Sequence, residues 1–113
     1  MMIVPNSGYS MSILQTIPTT GALLTAIRAE VRGLVQGVGF RYITRGTARQ
    51  LGVVGWVRNL PSGSVEVWAQ GASDAIDRLQ EFLEAGPTGA LVESVAVEIV
   101  EPDPALSGFE VRF

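Results

Sequence analysis

Residues 27–59 read IRAEVRGLVQGVGFRYITRGTARQLGVVGWVRN, and the changes of period along them decide the fold. From Ile27 to Val35 apolar and polar residues alternate. Ile27, Ala29, Val31, Gly33 and Val35 fall on one side and Arg28, Glu30 and Arg32 on the other, the pattern of a half-buried strand. From Phe40 the spacing lengthens: Phe40, Ile43, Thr47, Ala48 and Leu51 recur at helical intervals, and Gly52 supplies a stop, which predicts a helix over 40–51. Val53 to Asn59 returns to a strand.

Working outward, Pro61-Ser62-Gly63 is a turn, and Ser64 to Gln70 is a third strand with Val65, Val67 and Ala69 inward. Ser73 is expected to cap a second helix lined by Ala75, Ile76, Leu79, Phe82 and Leu83, which Gly86-Pro87 ends. Leu91 to Val100 alternates again. After Pro102 and Pro104, the residues Phe109, Val111 and Phe113 make a short terminal strand. The order βαββαβ predicts a ferredoxin-like α+β sandwich: a four-stranded antiparallel sheet covered on one face by two helices, plus a short C-terminal strand. Trp56, Phe82, Phe109 and Phe113 are expected to pack, and Trp68 to lie on the strand surface.

Upstream, residues 1–26 carry no charged side chain and are broken by Pro5, Gly8, Pro18 and Gly21. They hold neither the positive n-region and unbroken apolar run of a secretory signal nor a membrane span. They are expected to be a poorly ordered leader before one domain over 27–113. A cytoplasmic location is expected, with no membrane partner.

At 113 residues and 12.0 kDa the chain has room for one small core. Cysteine, histidine and lysine are all absent. That removes thiolate nucleophiles, the usual neutral-pH acid–base group, Schiff-base chemistry and the commonest metal ligands. The net charge of -3 is unevenly spread, with six arginines and one acid between Arg28 and Arg58. Two arginines and ten acids follow Asn59. This is either uneven decoration or a local anion site on an acidic body.

Gly33-Leu-Val-Gln36-Gly37-Val38-Gly39-Phe40-Arg41 lies between the first strand and the first helix. Gly37 and Gly39 permit backbone conformations closed to other residues, so successive N–H groups before a helix can converge on an anion. A tight turn without function fits the glycines alone. Arg41, however, sits in the first helical turn, where its charge opposes the helix dipole. That placement makes sense if an anion occupies the cradle. Arg45 and Arg49 extend the stripe and read as a solvated face. Asn59 ends the second strand at the same sheet edge, on the helix-facing side. Its amide can orient a water, although a strand-end Asn before Leu-Pro also suits a turn.

Between Val31 and Val65 there is no Asp, Glu, His, Cys or Lys, so this stretch offers no obvious base, nucleophile or magnesium ligand. Ordinary phosphate esters expel an alkoxide and need much help. A carboxylic–phosphoric anhydride expels a carboxylate of pKa around 4 and needs no general acid. Preorganised donors and a placed water suffice.

These residues resemble the acylphosphatase family. Val31 to Arg41 matches its first signature, and Ala48-x-x-Leu51-Gly52-Val-Val-Gly55-Trp56-Val57-Arg58-Asn59 its second. Gly63-Ser-Val65-Glu66-Val67, Gly86-Pro87-x-x-Ala90-x-Val92 and Phe109 also fit. The resemblance spans 27–113 and implies hydrolysis of acyl phosphates to carboxylate and phosphate without metal or cofactor. It implies that Arg41 binds the phosphate with the backbone of Gln36, Gly37, Val38, Gly39 and Phe40, that Asn59 orients the water, and that Thr44 supports. The implied partner is a small acyl phosphate met by a monomer. Two other readings share the scaffold. An RNA-recognition module would stack bases on the helix-free face, where Arg28, Glu30, Arg32, Glu66, Trp68 and Gln70 offer one aromatic amid mixed charge; no nucleic-acid partner is expected. A non-catalytic phosphate-binding module would use the cradle but has no use for Asn59.

Overall fold

The structure, a computed structural model, describes residues 24–113. Residues 1–23 of the expected leader lie outside the described residues, but 24–26 belong to the sheet. Strand β1 runs Leu24–Leu34, and its first residues pair with the third strand, Leu24 opposite Ala72 and Ala26 opposite Gln70. Ala26 and Ile27 are both buried, and that break in alternation hides the strand's start. Helix α1 follows at Phe40–Gln50, then β2 at Val54–Asn59, β3 at Val65–Ala72, α2 at Ser73–Ala85, β4 at Leu91–Ile99 and β5 at Phe109–Arg112.

The sheet order is β4-β1-β3-β2-β5. β3 is antiparallel to both β1 and β2, and β4 is antiparallel to β1. The expected four-stranded antiparallel sheet is corrected here. β5 joins it as a fifth strand, parallel to β2 with Gly55 opposite Phe109 and Arg58 opposite Arg112, so the sheet is mixed. The chain reaches that far edge by crossing the helix-free face. Gln70 holds the crossing: its Nε2 donates to the carbonyl of Asp103 at 2.9 Å, and the Asp103 N–H donates to Gln70 Oε1 at 2.8 Å.

The core lies between sheet and helices. Ile27, Ala29 and Val31 of β1, Val57 of β2, and Val65, Val67 and Ala69 of β3 meet Phe40 and Ala48 of α1 and Ile76, Leu79 and Leu83 of α2. Each large side chain buried in this layer contributes about 1.5–3 kcal/mol. The buried stripe of α1 runs Phe40, Thr44, Ala48, in strict four-residue steps, so Thr44 faces the sheet and Ile43 is exposed. Ser73 is the first residue of α2 rather than its cap; Ala72 occupies the N-cap in an extended conformation. The Ser73 hydroxyl instead meets that of Thr25 at 2.9 Å.

The helix-free face is more closed than the sequence suggests. Glu66 and Gln70 are 5% and 6% exposed. Glu66 accepts from Arg28 Nε at one carboxylate oxygen and from Arg58 Nε at the other. Trp56 stands opposite Trp68 on this face, with the rings stacked 6.3 Å apart. The guanidinium groups of Arg58 and Arg112 lie over Trp56. Phe113 is not in the core but 91% exposed. Among the described residues no helix is long and apolar enough to cross a membrane.

Burial pushes the Glu66 carboxyl up, but the hydrogen bonds from Arg58 and Arg28 outweigh it and hold its pKa below the ordinary carboxylate value. A depressed folded pKa contributes stability that is fully present above the unfolded value of about 4.3 and fades as pH falls through the folded one. Glu66→Gln is therefore expected to cost about 1–3 kcal/mol at pH 7. The deficit should shrink below pH 4 in urea unfolding. A deficit that stays constant down to pH 2.5 would show that the charge is not what stabilises this face.

Candidate active site

Val65 on β3 is paired with Val31 on one side and with Asn59 on the other. That single row sets Asn59 level with the last core residues of β1, at the edge where the chain leaves for α1. Beyond β1 the segment 35–39 carries no helix or strand. Val35 is buried and anchors it, and Val38 packs against the core. Gly37 and Gly39 have φ of 80° and 76°, the left-handed region that favours glycine.

Gly39 is also the N-cap of α1. The helix has no side-chain cap and no acid in its first turn, and its first intrahelical bond runs from the Ile43 N–H to the Gly39 carbonyl at 3.1 Å. The N–H groups of Phe40, Arg41 and Tyr42 are thus left without helical partners. They stand at the positive end of the helix dipole.

A pocket of about 90 Å³ opens at this helix start, lined by Val35, Gly37, Gly39, Phe40, Arg41, Tyr42 and Asn59. Arg41 and Asn59, proposed from the sequence as a pair, come from different elements and share it. The Gln36 side chain is turned elsewhere: its Nε2 donates to the carbonyls of Leu60 at 2.8 Å and Ser64 at 2.9 Å. Phe40 is buried beneath the pocket with its ring 6.3 Å from that of Phe82. Thr44 is not among the lining residues; it is buried, and its Oγ1 has no hydrogen-bond partner among the described residues.

Arg41 is held without any carboxylate among the described residues. Its Nη1 donates to the Arg112 carbonyl at 3.3 Å, and its guanidinium lies 4.7 Å from the Phe113 ring centroid and 5.8 Å from that of Tyr42. Arg45 also stacks on Tyr42, while Arg49 donates to the Phe109 carbonyl. Neutral partners orient Arg41 and leave its charge uncompensated. The contacts from Arg112 and Phe113 were not legible in the sequence, because nothing local links a terminal strand to the first helix.

A larger cavity of about 370 Å³ lies across the 60–64 turn, between Glu30, Arg32, Ser62, Ser64 and Glu93. It holds two carboxylates against one arginine that already pairs with Glu30, the wrong balance for an anion. The smaller pocket has the opposite balance, an arginine and a helix N-terminus with no acid lining it. The acylphosphatase family model matches this chain over residues 27–111.

The chain belongs to the acylphosphatase family. An acylphosphatase of Trichormus variabilis is 50% identical over 94 residues, which cover 83% of this chain and 92% of that one. The solved acylphosphatase of Coxiella burnetii superposes with a TM-score of 0.79 at 40% identity, covering 85% of this chain and all of that one. That of Bacillus subtilis gives 0.76 at 30% identity over 79% of this chain and 99% of that one.

A Cβ added at Gly39 would have nothing within 4 Å, so a substitution there is penalised by conformation alone. Gly39→Ala is expected to lose about 1–2 kcal/mol, and Gly39→Asn less, since Asn tolerates the left-handed region. Chemical denaturation of the two variants checks the order; equal losses would mean that space, not φ, is limiting.

Proposed function

We propose that the pocket at the start of α1 hydrolyses acyl phosphates, with Arg41 and the 36–40 backbone holding the phosphoryl group and Asn59 holding the attacking water. The observation that carries this reading is that Arg41 and Asn59 line one pocket at an uncapped helix N-terminus. The pocket's volume is well below the ~300–1,000 Å³ of sites that engulf organic ligands whole. It therefore suits the phosphoryl end of the substrate, with the acyl group lying outward beside Tyr42 and Phe113.

Three N–H groups without helical partners, the helix dipole and a guanidinium that meets no carboxylate among the described residues concentrate positive potential where the phosphoryl oxygens gain charge. The Asn59 amide accepts a proton of the water in hydrogen bonding and aims an oxygen lone pair at phosphorus. As the new P–O bond forms, the bond from phosphorus to the acyl oxygen breaks, and its electron pair leaves with the carboxylate. The water's proton passes to a phosphoryl oxygen, so no side-chain base is needed. Thr44 supports from the core side of α1 without touching substrate. No step uses a metal or cofactor.

We also read the enzyme as a cytoplasmic monomer that acts on a small molecule. Every residue that lines the pocket belongs to this chain, so the site is complete without a second copy. Nucleic acid has no part in this reading, because Glu66 ties up the two arginines that flank it on the helix-free face.

The test is benzoyl phosphate hydrolysis in excess EDTA. The parent should turn over. Arg41→Gln should lose about 10²-fold or more in kcat/KM together with inhibition by free phosphate. Asn59→Ala should lose a similar factor in kcat with phosphate inhibition kept. A folded parent that binds phosphate without turnover would instead make this a binding module, and activity abolished by EDTA would overturn the metal-free route.

A further inference from the structure

The segment that forms the cradle is held at Val35 and Val38 but turns on glycine between and after them. Two left-handed glycines lie within three residues, and glycine leaves the backbone freer than any other residue. Its ends are fixed by β1 and α1, and the sheet register sets the end of β1 against Asn59, but that register does not extend along the glycine-bearing backbone between them. The side chain of Gln36 bridges the two. Its Nε2 reaches the carbonyls of Leu60 and Ser64, the residues that close the turn between β2 and β3. The same two residues are tied to each other: the Leu60 N–H donates to the Ser64 carbonyl at 2.9 Å, and the Gly63 N–H to the Leu60 carbonyl at 3.0 Å. Gln36 is the neighbour of Val35 and Gly37, and Leu60 the neighbour of Asn59, all of which but Gln36 and Leu60 line the pocket. One amide thus spans the gap between the two halves, and because it grips two carbonyls it fixes an angle as well as a distance.

We propose that the Gln36 side chain is a positioning residue for hydrolysis, setting the placement of the Asn59-held water relative to the phosphoryl cradle. The inference rests on the reading of Asn59 given above. The backbone N–H of Gln36 and the guanidinium of Arg41 survive any change of the Gln36 side chain, so phosphate binding persists without the bridge. What is lost is the alignment of water and phosphorus, and an error near 1 Å there costs up to about 10²-fold in rate.

The experiment compares Gln36→Ala, Gln36→Met, Asn59→Ala and the double variant Gln36→Met/Asn59→Ala on benzoyl phosphate, with inorganic phosphate as inhibitor. Methionine keeps the length and packing of glutamine and removes both donors, so it serves where alanine prevents folding. Each Gln36 variant should lose about 10- to 100-fold in kcat with the phosphate inhibition constant essentially unchanged. Adding Gln36→Met to Asn59→Ala should cost less than about twofold more, because groups acting as a unit are not additive. A Gln36→Met variant that only melts earlier and keeps its kcat at 25 °C overturns the inference and leaves a structural tie. The full loss recurring on the Asn59→Ala background also overturns it. Full turnover by Asn59→Ala itself would overturn the water-orienting reading, and this inference with it.

Discussion

β3 is hydrogen-bonded to β1 along one edge and to β2 along the other, antiparallel to both. The two flanking strands therefore run the same way and end at the same margin of the sheet, although a helix separates them in sequence. Val65 is fully buried and faces Val31 and Asn59 at once. Because side chains alternate along a strand, a slip of β2 by one residue would turn Asn59 to the opposite face and expose Val57. The core thus holds the register, and the register holds the amide at the helix start. A few kilocalories of packing per large side chain protect an arrangement whose own contacts are weak.

The distribution of charge follows the same economy. On the helix-free face one carboxylate, Glu66, serves two arginines and is buried between them. At the other side of the sheet Arg41 has, among the described residues, a carbonyl and aromatic rings for company and no carboxylate. A carboxylate beside Arg41 would fix it more firmly but would compete with an incoming anion. Carbonyl and ring faces orient a guanidinium while leaving its charge available. Acids are placed where they neutralise and kept from where they would block.

Local periodicity made much of this legible. The alternation at Ile27–Val35, the helical recurrence from Phe40 and the strand ending at Asn59 were enough to order the elements, and the glycine pair beside Arg41 marked the pocket before any geometry. What stayed hidden depended on contacts distant in sequence. β5 joins the sheet because the crossing segment is pinned by Gln70, a residue that reads as an exposed strand polar. Thr44 rather than Ile43 faces the core because α1 sets its angle from Gly39 and the depth of Phe40. Trp56 lies opposite Trp68 because strand pairing, not sequence, decides which rings meet. Gln36 looked like one more donor in the loop, and only the turn at 60–64 reveals where its amide goes.

The arginine of the pocket is anchored to a short edge strand. β5 spans Phe109–Arg112, has a neighbour on one side only among the described residues, and buries deeply just Phe109. The carbonyl and ring that steady Arg41 come from its far end, at Arg112 and Phe113. Edge segments with little buried surface open locally at a free-energy cost far below that of global unfolding. The reach of Arg41 therefore depends on the fraying of four residues rather than on the melting of the sheet. On warming, Arg41 would lose its footing beside the pocket while the core was still intact.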